Sequence, residues 1–543
     1  MERLFIFAIG GTGARVLRSF TMLLASGQDS LKDYDVYPII LDYDSENGDT
    51  AIATNCIETY NRIHNIAWKD KDMVKEAGFF KSNLCQLKDD SLNGGSSFQM
   101  VYAPKGNNVY KKYIGYDTLG YDEMNSKRLG RDIDTTGTKM LLQSLYNTDP
   151  TSDDSEMNLK MDVGFKGNPN IGSVVFHDID SECSEFKAFL MRLTPNDKVV
   201  VVGSLFGGTG SSGIPEIIRK IREKNQGVHS VHIGAVLVMP YFAPESKDGG
   251  TIRHDIFNSK TKAAINYYED SGLISFDTNG QMNGGAINSA YFIGDPKPTV
   301  LPYCDGGGNQ KNPANICEFI SALSIIHFVQ GGRGSFKYGV GKFIVGDGVS
   351  VKQLFYDDLK DENVKPIIRR LTSFTVAMKY FMFRTMQPDS NVKRTTYYSR
   401  FTLADPKDQM KNMLTNLKSF WSLYKAWLDE LSNMGKLEDH GNSHGLTLYG
   451  TKDDLEILIV NHKDETPAKS GGFFGFGQGG SKKKENKSVE GPTIDGLINK
   501  AINNFKPNGF TGDYTTRDEE FLFMHGLYVA STDEKEIINK VFD

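Results

Sequence analysis

The sequence predicts an α/β protein whose central sheet is parallel and covered on both faces. Apolar runs at 3–9, 38–41, 199–202 and 233–239 are continuous instead of alternating, the pattern of strands with no solvent face. Stretches with helical spacing follow them, as at 14–25 and 213–224. Glycine-rich loops join strand to helix, Gly10-Gly11-Thr12-Gly13 after the first strand and Gly207-Gly208-Thr209-Gly210 after a later one.

Taken in order, residues 3–9 make the first strand, and Val16, Leu17, Phe20, Leu23 and Leu24 set the apolar face of the first helix. The second strand ends at Asp42-Tyr43-Asp44. From 46 to 160 the pattern dissolves into Asn, Gly, Ser, Lys and Tyr clusters, which read as a large insertion. Regularity returns with an expected strand at 174–176, a helix near 180–193, a strand at 199–202, a helix at 213–224 and strands at 233–239 and 290–293. Residues 312–330 read as a helix apolar nearly all round, which calls for burial between two layers. Beyond it, 364–386 reads as a helix, and Met410 to Leu431 as a long amphipathic helix stopped by Gly435. Strand candidates at 395–403, 446–460 and 521–530 make this half mixed as well.

The expected organisation is a ligand-binding α/β domain over 1–311, a central helix over 312–330 and a second mixed α/β domain over 331–543. At 543 residues the chain exceeds what one core supports, in keeping with that division. Residues 461–492, with Gly471 to Gly480 and Ser481-Lys482-Lys483-Lys484, read as a flexible low-complexity loop, or alternatively as a partner-docking segment; the insertion at 46–160 is the other candidate partner surface.

Composition narrows the classes. A formal charge of −6 argues against a dedicated nucleic-acid binder, which needs a basic excess. The cysteines Cys56, Cys85, Cys183, Cys304 and Cys317 form no CxxC pair, so neither a disulfide framework nor a structural zinc site is expected. The first apolar run is broken by Gly10-Gly11, and no later run approaches the ~18 residues a membrane span needs. A cytoplasmic protein is therefore expected. The histidines show no metal-ligand spacing, and there is no Gly-x-Ser-x-Gly elbow.

Chemistry concentrates in three loops: Gly10 to Gly13, Gly164 to Gly172, and Phe206 to Pro215. Glycine lets backbone N–H groups approach phosphate oxygens, and a helix N-terminus adds favourable dipole. A loop as glycine-rich as the last loses conformational entropy that ordinary packing does not recover. Gly10-Gly11-Thr12-Gly13 with Asp42 closing the second strand is also a dinucleotide-fold cue, and an NAD-dependent oxidoreductase is the alternative on those residues alone.

In these residues the sequence resembles the tubulin and FtsZ superfamily, particularly its divergent bacterial members. Gly207, Gly208, Thr209, Gly210 and Ser211 fall on the Gly-Gly-Gly-Thr-Gly-Ser/Thr-Gly signature, with Phe206 and Ser212 departing from it. Gly167, Asn168 and Gly172 match the family's loop around the terminal phosphate, and Asp44 stands where FtsZ has the aspartate of Asn-Thr-Asp. The loops occur in family order. The resemblance implies a tubulin-like fold that binds GTP, holds GDP after hydrolysis, accommodates Mg2+, and stacks on itself head to tail as a homopolymer. It further places Glu245 near the ribose and Asn315 at the base, with Asn312 as the competing helix cap. Hydrolysis would take acids from the next subunit, for which Asp357, Asp358 and Asp361 are the candidates. A nucleotide-gated scaffold without turnover is the alternative within the same fold.

Overall fold

The computed structural model describes residues 2–32, 34–44, 46–69, 76–87, 97–102, 109–119, 136–149, 155–161, 164–224, 231–245, 256–278, 282–295, 298–304, 306–331, 364–433, 494–505 and 519–538, and strand segments at 345–346, 349–350, 353–355 and 445–447. Its centre is a parallel sheet. β1 (Glu2–Ile9) leads into α1 (Gly10–Ala25), then β2 (Tyr34–Asp42) and α2 (Gly48–Ala67), and the edge strands β3 (Asn83–Leu84) and β4 (Gln99–Val101) pair in tandem with β2. After α3 (Thr136–Leu145), α4 (Pro169–Phe176) and α5 (Ser184–Arg192), the chain returns as β5 (Lys198–Ser204) beside β1. α6 (Gly208–Lys224), β6 (His232–Val238), the short β7 (Phe242–Pro244), α7 (Phe257–Asp270), β8 (Ser289–Ile293) and β9 (Thr299–Leu301) follow. The strand order is β8-β6-β5-β1-β2-β3, so the chain winds outward from β1 in one direction and then restarts in the other at β5. Such reversal points are where open α/β sheets bind ligands.

The continuous apolar runs become strands because both their faces are covered. Leu4, Ile6, Ala8, Val200 and Val202 face a core shared with α1, α2 and α8 (Ile316–Val329). Phe5, Phe7, Ile9, Val199 and Val201 face a second core with α4, α5 and α6. The first core runs on without a break into α9 (Lys365–Tyr380), α10 (Asp408–Asn433), α11 (Ile494–Asn504) and α12 (Glu519–Ser531). Buried Trp427 of α10, for example, donates from its indole N–H to Ser19 Oγ on α1 at 3.0 Å.

Several elements depart from expectation. Residues 174–176 belong to α4, where Val175 and Phe176 are buried while Val174 is 40% exposed. A three-residue apolar run does not separate strand from helix, and Pro169 in the first turn presets helical φ. The helix expected at 180–193 is two pieces, Ile179–Glu182 and α5, broken at Cys183 in extended conformation. Residues 521–530 form α12, not a strand: Phe521, Phe523 and Tyr528 carry strand propensity, yet the segment is buried nearly all round as a helix. Likewise 395–403 contains the helix Thr396–Arg400. At 446–460 only the end of the strand Gly445–Thr447 is described, and 461–492 lies outside the described residues. The described part of 331–543 is mostly helical.

Within 46–160, α2 is a core helix whose Asn47 side chain caps it by accepting from Asp49 N and Thr50 N, and whose Ala53, Ile57, Tyr60 and Ile63 are fully buried. α3 lies at the other extreme, with no buried residue and with Met140, Leu141 and Leu145 exposed.

Candidate functional site

The carboxyl ends of β1 and β5 open onto a single cleft, and its walls begin with glycine for steric reasons. Gly10 turns the chain from β1 into α1 at φ +72°. A Cβ on Gly13 would stand 2.7 Å from the Ala8 carbonyl carbon and 2.8 Å from Val202 O, so only glycine lets α1 rest on the strands here. Gly210 plays the same part for α6, since a Cβ there would lie 2.7 Å from Ser204 N. Both helices can therefore point their N-termini into the cleft.

Gly10, Gly11 and Thr12, then Gly207 to Gly210, form two sides; Gly164 and Gly167, both at positive φ, close a third; Asp42 and Asp44 stand at the end of β2. The fourth side was not anticipated. A strap over Gly306 to Asn312 crosses the cleft, its Gly307 N donating to Asp44 Oδ2 at 2.8 Å and its Asn312 N to Asp49 Oδ1 at 2.9 Å, and Cys304 lines the cleft beside it. Gly48 is needed beneath it, because a Cβ would meet Gln310 O at 2.7 Å and Gly308 O at 2.8 Å. With the strap in place the cavity measures about 160 Å³, below the ~300–1,000 Å³ usual for small-molecule sites.

One end of the cleft is apolar. Phe206 packs against Phe257 and Phe242 at centroid distances of 4.8 and 5.6 Å, with Pro244, Leu301 and Pro302 alongside. The large side chain at 206, where the resemblance leads one to expect a small one, thus builds a wall.

The charges are arranged unevenly. Arg15 reaches the cleft from α1 but is spent inside: it pairs with Asp49, donates from Nε to Glu318 Oε1 at 2.6 Å and from Nη2 to Tyr241 Oη at 2.5 Å. Burial pushes the Glu318 and Asp49 carboxyls up against the pull of Arg15. Lys166, a non-glycine residue at φ +45°, lines the cleft and brings a positive charge to it. Burial pushes the Asp42 carboxyl up to about 7, with the neighbouring Asp44 adding to the effect and Thr209 opposing it.

Of the residues singled out from sequence, Gly10, Gly11, Thr12, Asp44, Gly167, Gly207, Gly208, Thr209 and Gly210 meet in this cleft. Others do not line it. Gly13 serves helix packing, and Gly172 does too, since a Cβ there would lie 2.1 Å from Ser212 Oγ. Asn168 precedes α4 as its N-cap, and Ser211 donates to Gly207 O within α6. Glu245 is exposed beyond β7, its amide bonded to Leu301 O. Asn315 is the N-cap of α8, accepting from Cys317 N at 2.9 Å in a capping box with Glu318, and it is Asn312 that lines the cleft. The cap expected at Asn312 is therefore Asn315, and the cleft position expected at Asn315 is Asn312, three residues of non-helical chain ahead of α8. Asp357, Asp358 and Asp361 lie outside the described residues.

Sequence reasoning passed over Arg15, Asn47, Lys166 and Gln310. A charged residue on the otherwise apolar side of α1 was the available signal for Arg15. The others sit in polar segments where nothing marks one residue above its neighbours.

The fold and the cleft define a class: an α/β protein with a mostly parallel sheet and a glycine-built cleft at its switch point. Among the described residues no helix is long and apolar enough to cross a membrane. Comparison with protein-family models finds none that matches, and no curated protein matches the sequence.

Proposed function

We propose that the chain is a tubulin-like GTP-binding protein that assembles head to tail into filaments, with hydrolysis coupled to assembly. The observation that carries this reading is the convergence of Gly10 to Thr12, Asp44, Gly164 to Gly167 and Gly207 to Gly210 on one cleft at the sheet's reversal point. Backbone amides and two helix N-termini there suit a run of phosphates, and Lys166 adds charge. The apolar end at Phe242, Pro244, Leu301 and Pro302 suits ribose and base, with Asn312 the polar side chain nearest in role to a base reader.

Asp42 and Asp44 supply the hard oxygen donors that suit Mg2+ when phosphates complete its shell, and the bound ion would screen phosphate charge. The chain's own residues hold and orient: amides fix the phosphates, and the strap restricts water. Because the strap narrows the cavity, a whole nucleotide requires it to move outward from Asp44.

A scaffold reading without turnover is favoured by one feature. Asp44, a carboxylate of the cleft, is committed to the Gly307 and Glu46 amides, which leaves Asp42 as the one other carboxylate lining the cleft among the described residues. The strand order is equally that of dinucleotide-binding sheets, so a hydride-transfer assay with NAD belongs in the test. The deciding experiment identifies the copurifying nucleotide, then follows sedimentation and phosphate release over a series of protein concentrations. Release rising more than linearly supports assembly-coupled hydrolysis; polymer without release supports the scaffold; neither polymer nor bound nucleotide removes the proposal.

A further inference from the structure

In two cavities of this molecule, polar side chains are held by their neighbours. Beyond the C-terminal end of α1, a far cavity of about 730 Å³ is lined by Asp29, Lys365, Arg369, Arg370 and Tyr528; Arg370 pairs with Asp29 at 3.0 Å and lies over the Tyr528 ring. In the glycine cleft, Asp44 accepts from Gly307 N, Asp49 pairs with Arg15, and Thr12 Oγ1 accepts from Arg15 Nη2 at 3.2 Å. Asn47 is different.

Asn47 is 4% exposed and stands just ahead of α2, where its Oδ1 accepts from Asp49 N at 2.9 Å and from Thr50 N at 3.3 Å. The cap fixes which way the amide faces: with Oδ1 committed to two N–H donors, Nδ2 takes the other side. That side is the cleft. Among the described residues no acceptor meets Nδ2. An amide donor withdrawn from water and left unpaired costs stability unless something in the cleft accepts from it.

A second amide comes from the strap. A Cβ on Gly11 would stand 3.2 Å from Asn47 Nδ2 and 3.3 Å from Gln310 Nε2, so the two amide nitrogens converge on the space over Gly11. The Gln310 side chain makes no hydrogen bond among the described residues. Beneath the pair lies the first turn of α1, a 16-residue helix with no side-chain cap and no acidic residue in that turn, whose leading N–H groups call for acceptors. Asp49 Oδ2, 3.6 Å from the same point, is turned to Arg15.

We infer that Asn47 Nδ2 and the Gln310 amide are ligand donors that clasp one phosphate group against the N-terminus of α1. The inference rests on the reading of this cleft as a phosphate site and adds two side chains to its backbone donors. Neutral amides suit the position, because they donate to phosphate oxygens without competing with Arg15 for Asp49 and Glu318. Because Gln310 rides on the strap, phosphate binding and the position of the strap are linked.

The test is calorimetric titration of the full chain with inorganic pyrophosphate, which carries no nucleoside to displace the strap, together with hydrogen exchange at 306–312 and a denaturant midpoint. Asn47→Ser keeps a capping oxygen and deletes the donor, Asn47→Asp keeps the cap and turns an acceptor on the phosphate, and Gln310→Ala removes the amide of the strap. The expected result is binding at least about tenfold weaker in Asn47→Ser, weaker still in Asn47→Asp and about threefold weaker in Gln310→Ala, with the midpoint unchanged in Asn47→Ser. Pyrophosphate should slow exchange at 306–312 in the natural chain and not in Gln310→Ala. The Gln310 side chain holds no hydrogen bond among the described residues that its loss would break, so this variant keeps the inference testable if Asn47→Ser does not fold. Natural affinity retained in Gln310→Ala and in a folded Asn47→Ser, with Thr209→Ala weakened, overturns the inference and leaves the phosphate reading of the cleft standing. No pyrophosphate binding by the natural chain overturns both.

Discussion

The two cavities of this molecule build their walls by opposite means. The glycine cleft does so with backbone: amides of three loops, two helix N-termini, and an arginine already neutralised by Asp49 and Glu318. The far cavity does so with side chains, three cations against one acid. A backbone cradle needs close approach and so dictates glycine at fixed spacings, whereas a side-chain cradle tolerates any backbone and draws its charges from distant segments. The first kind leaves a mark in a sequence, and the second does not.

That contrast can be broken most sharply at Arg15. Replacing it with alanine leaves the Asp49 and Glu318 carboxyls buried without a counter-charge, and should cost about 3–5 kcal/mol in denaturant unfolding. A loss under 1 kcal/mol would mean that the network is not what closes the cleft floor. Gly13→Ala comes next: forced against Ala8 and Val202 backbone, it should cost about 1–3 kcal/mol, while Gly137→Ala, with open space around it, should not destabilise. Equal effects at the two glycines would contradict the close approach of α1 to β1.

Asp44→Ala removes the acceptor for the Gly307 amide, and should loosen the strap by about 0.5–1.5 kcal/mol, read as faster hydrogen exchange at 306–312. Thr209→Ala should weaken nucleotide binding with little change in exchange there. The reverse pattern would separate the strap from Asp44.

A last comparison is by titration. The Asp42 carboxyl stands at about 7 in the fold and near 3.8 unfolded, so the folded state holds its proton more tightly. Its contribution is fully present below pH 4 and is lost as pH rises through 7. Stability should therefore decline from about pH 4 to pH 7 and level off above that, and metal-free phosphate binding should weaken as the carboxylate charges near pH 7. Asp42→Asn should flatten both profiles; a slope that persists in the variant assigns it to another group.

Much of the parallel sheet was legible because burial on both faces demands continuous apolar strands, and the β-branched runs at 199–202 and 233–239, like 3–9, are bounded by glycine or loop residues at strand length. The strand expected at 521–530 failed for the converse reason. Phe521, Phe523 and Tyr528 fit a sheet as well as a helix, and only packing of α12 against α9 and α11 decides between them.

By itself the sequence determined where β1 and β5 end and a glycine-led helix begins, because those demands are local: an apolar run that stops and a positive φ at Gly10. Only the tertiary structure decided that Asn312 and not Asn315 enters the cleft, that a strap over Gly306 to Asn312 crosses it, and that Lys365, Arg369 and Tyr528 share a cavity. Those facts depend on which distant segments pack together, and packing is a property of the whole fold that no short stretch of residues contains.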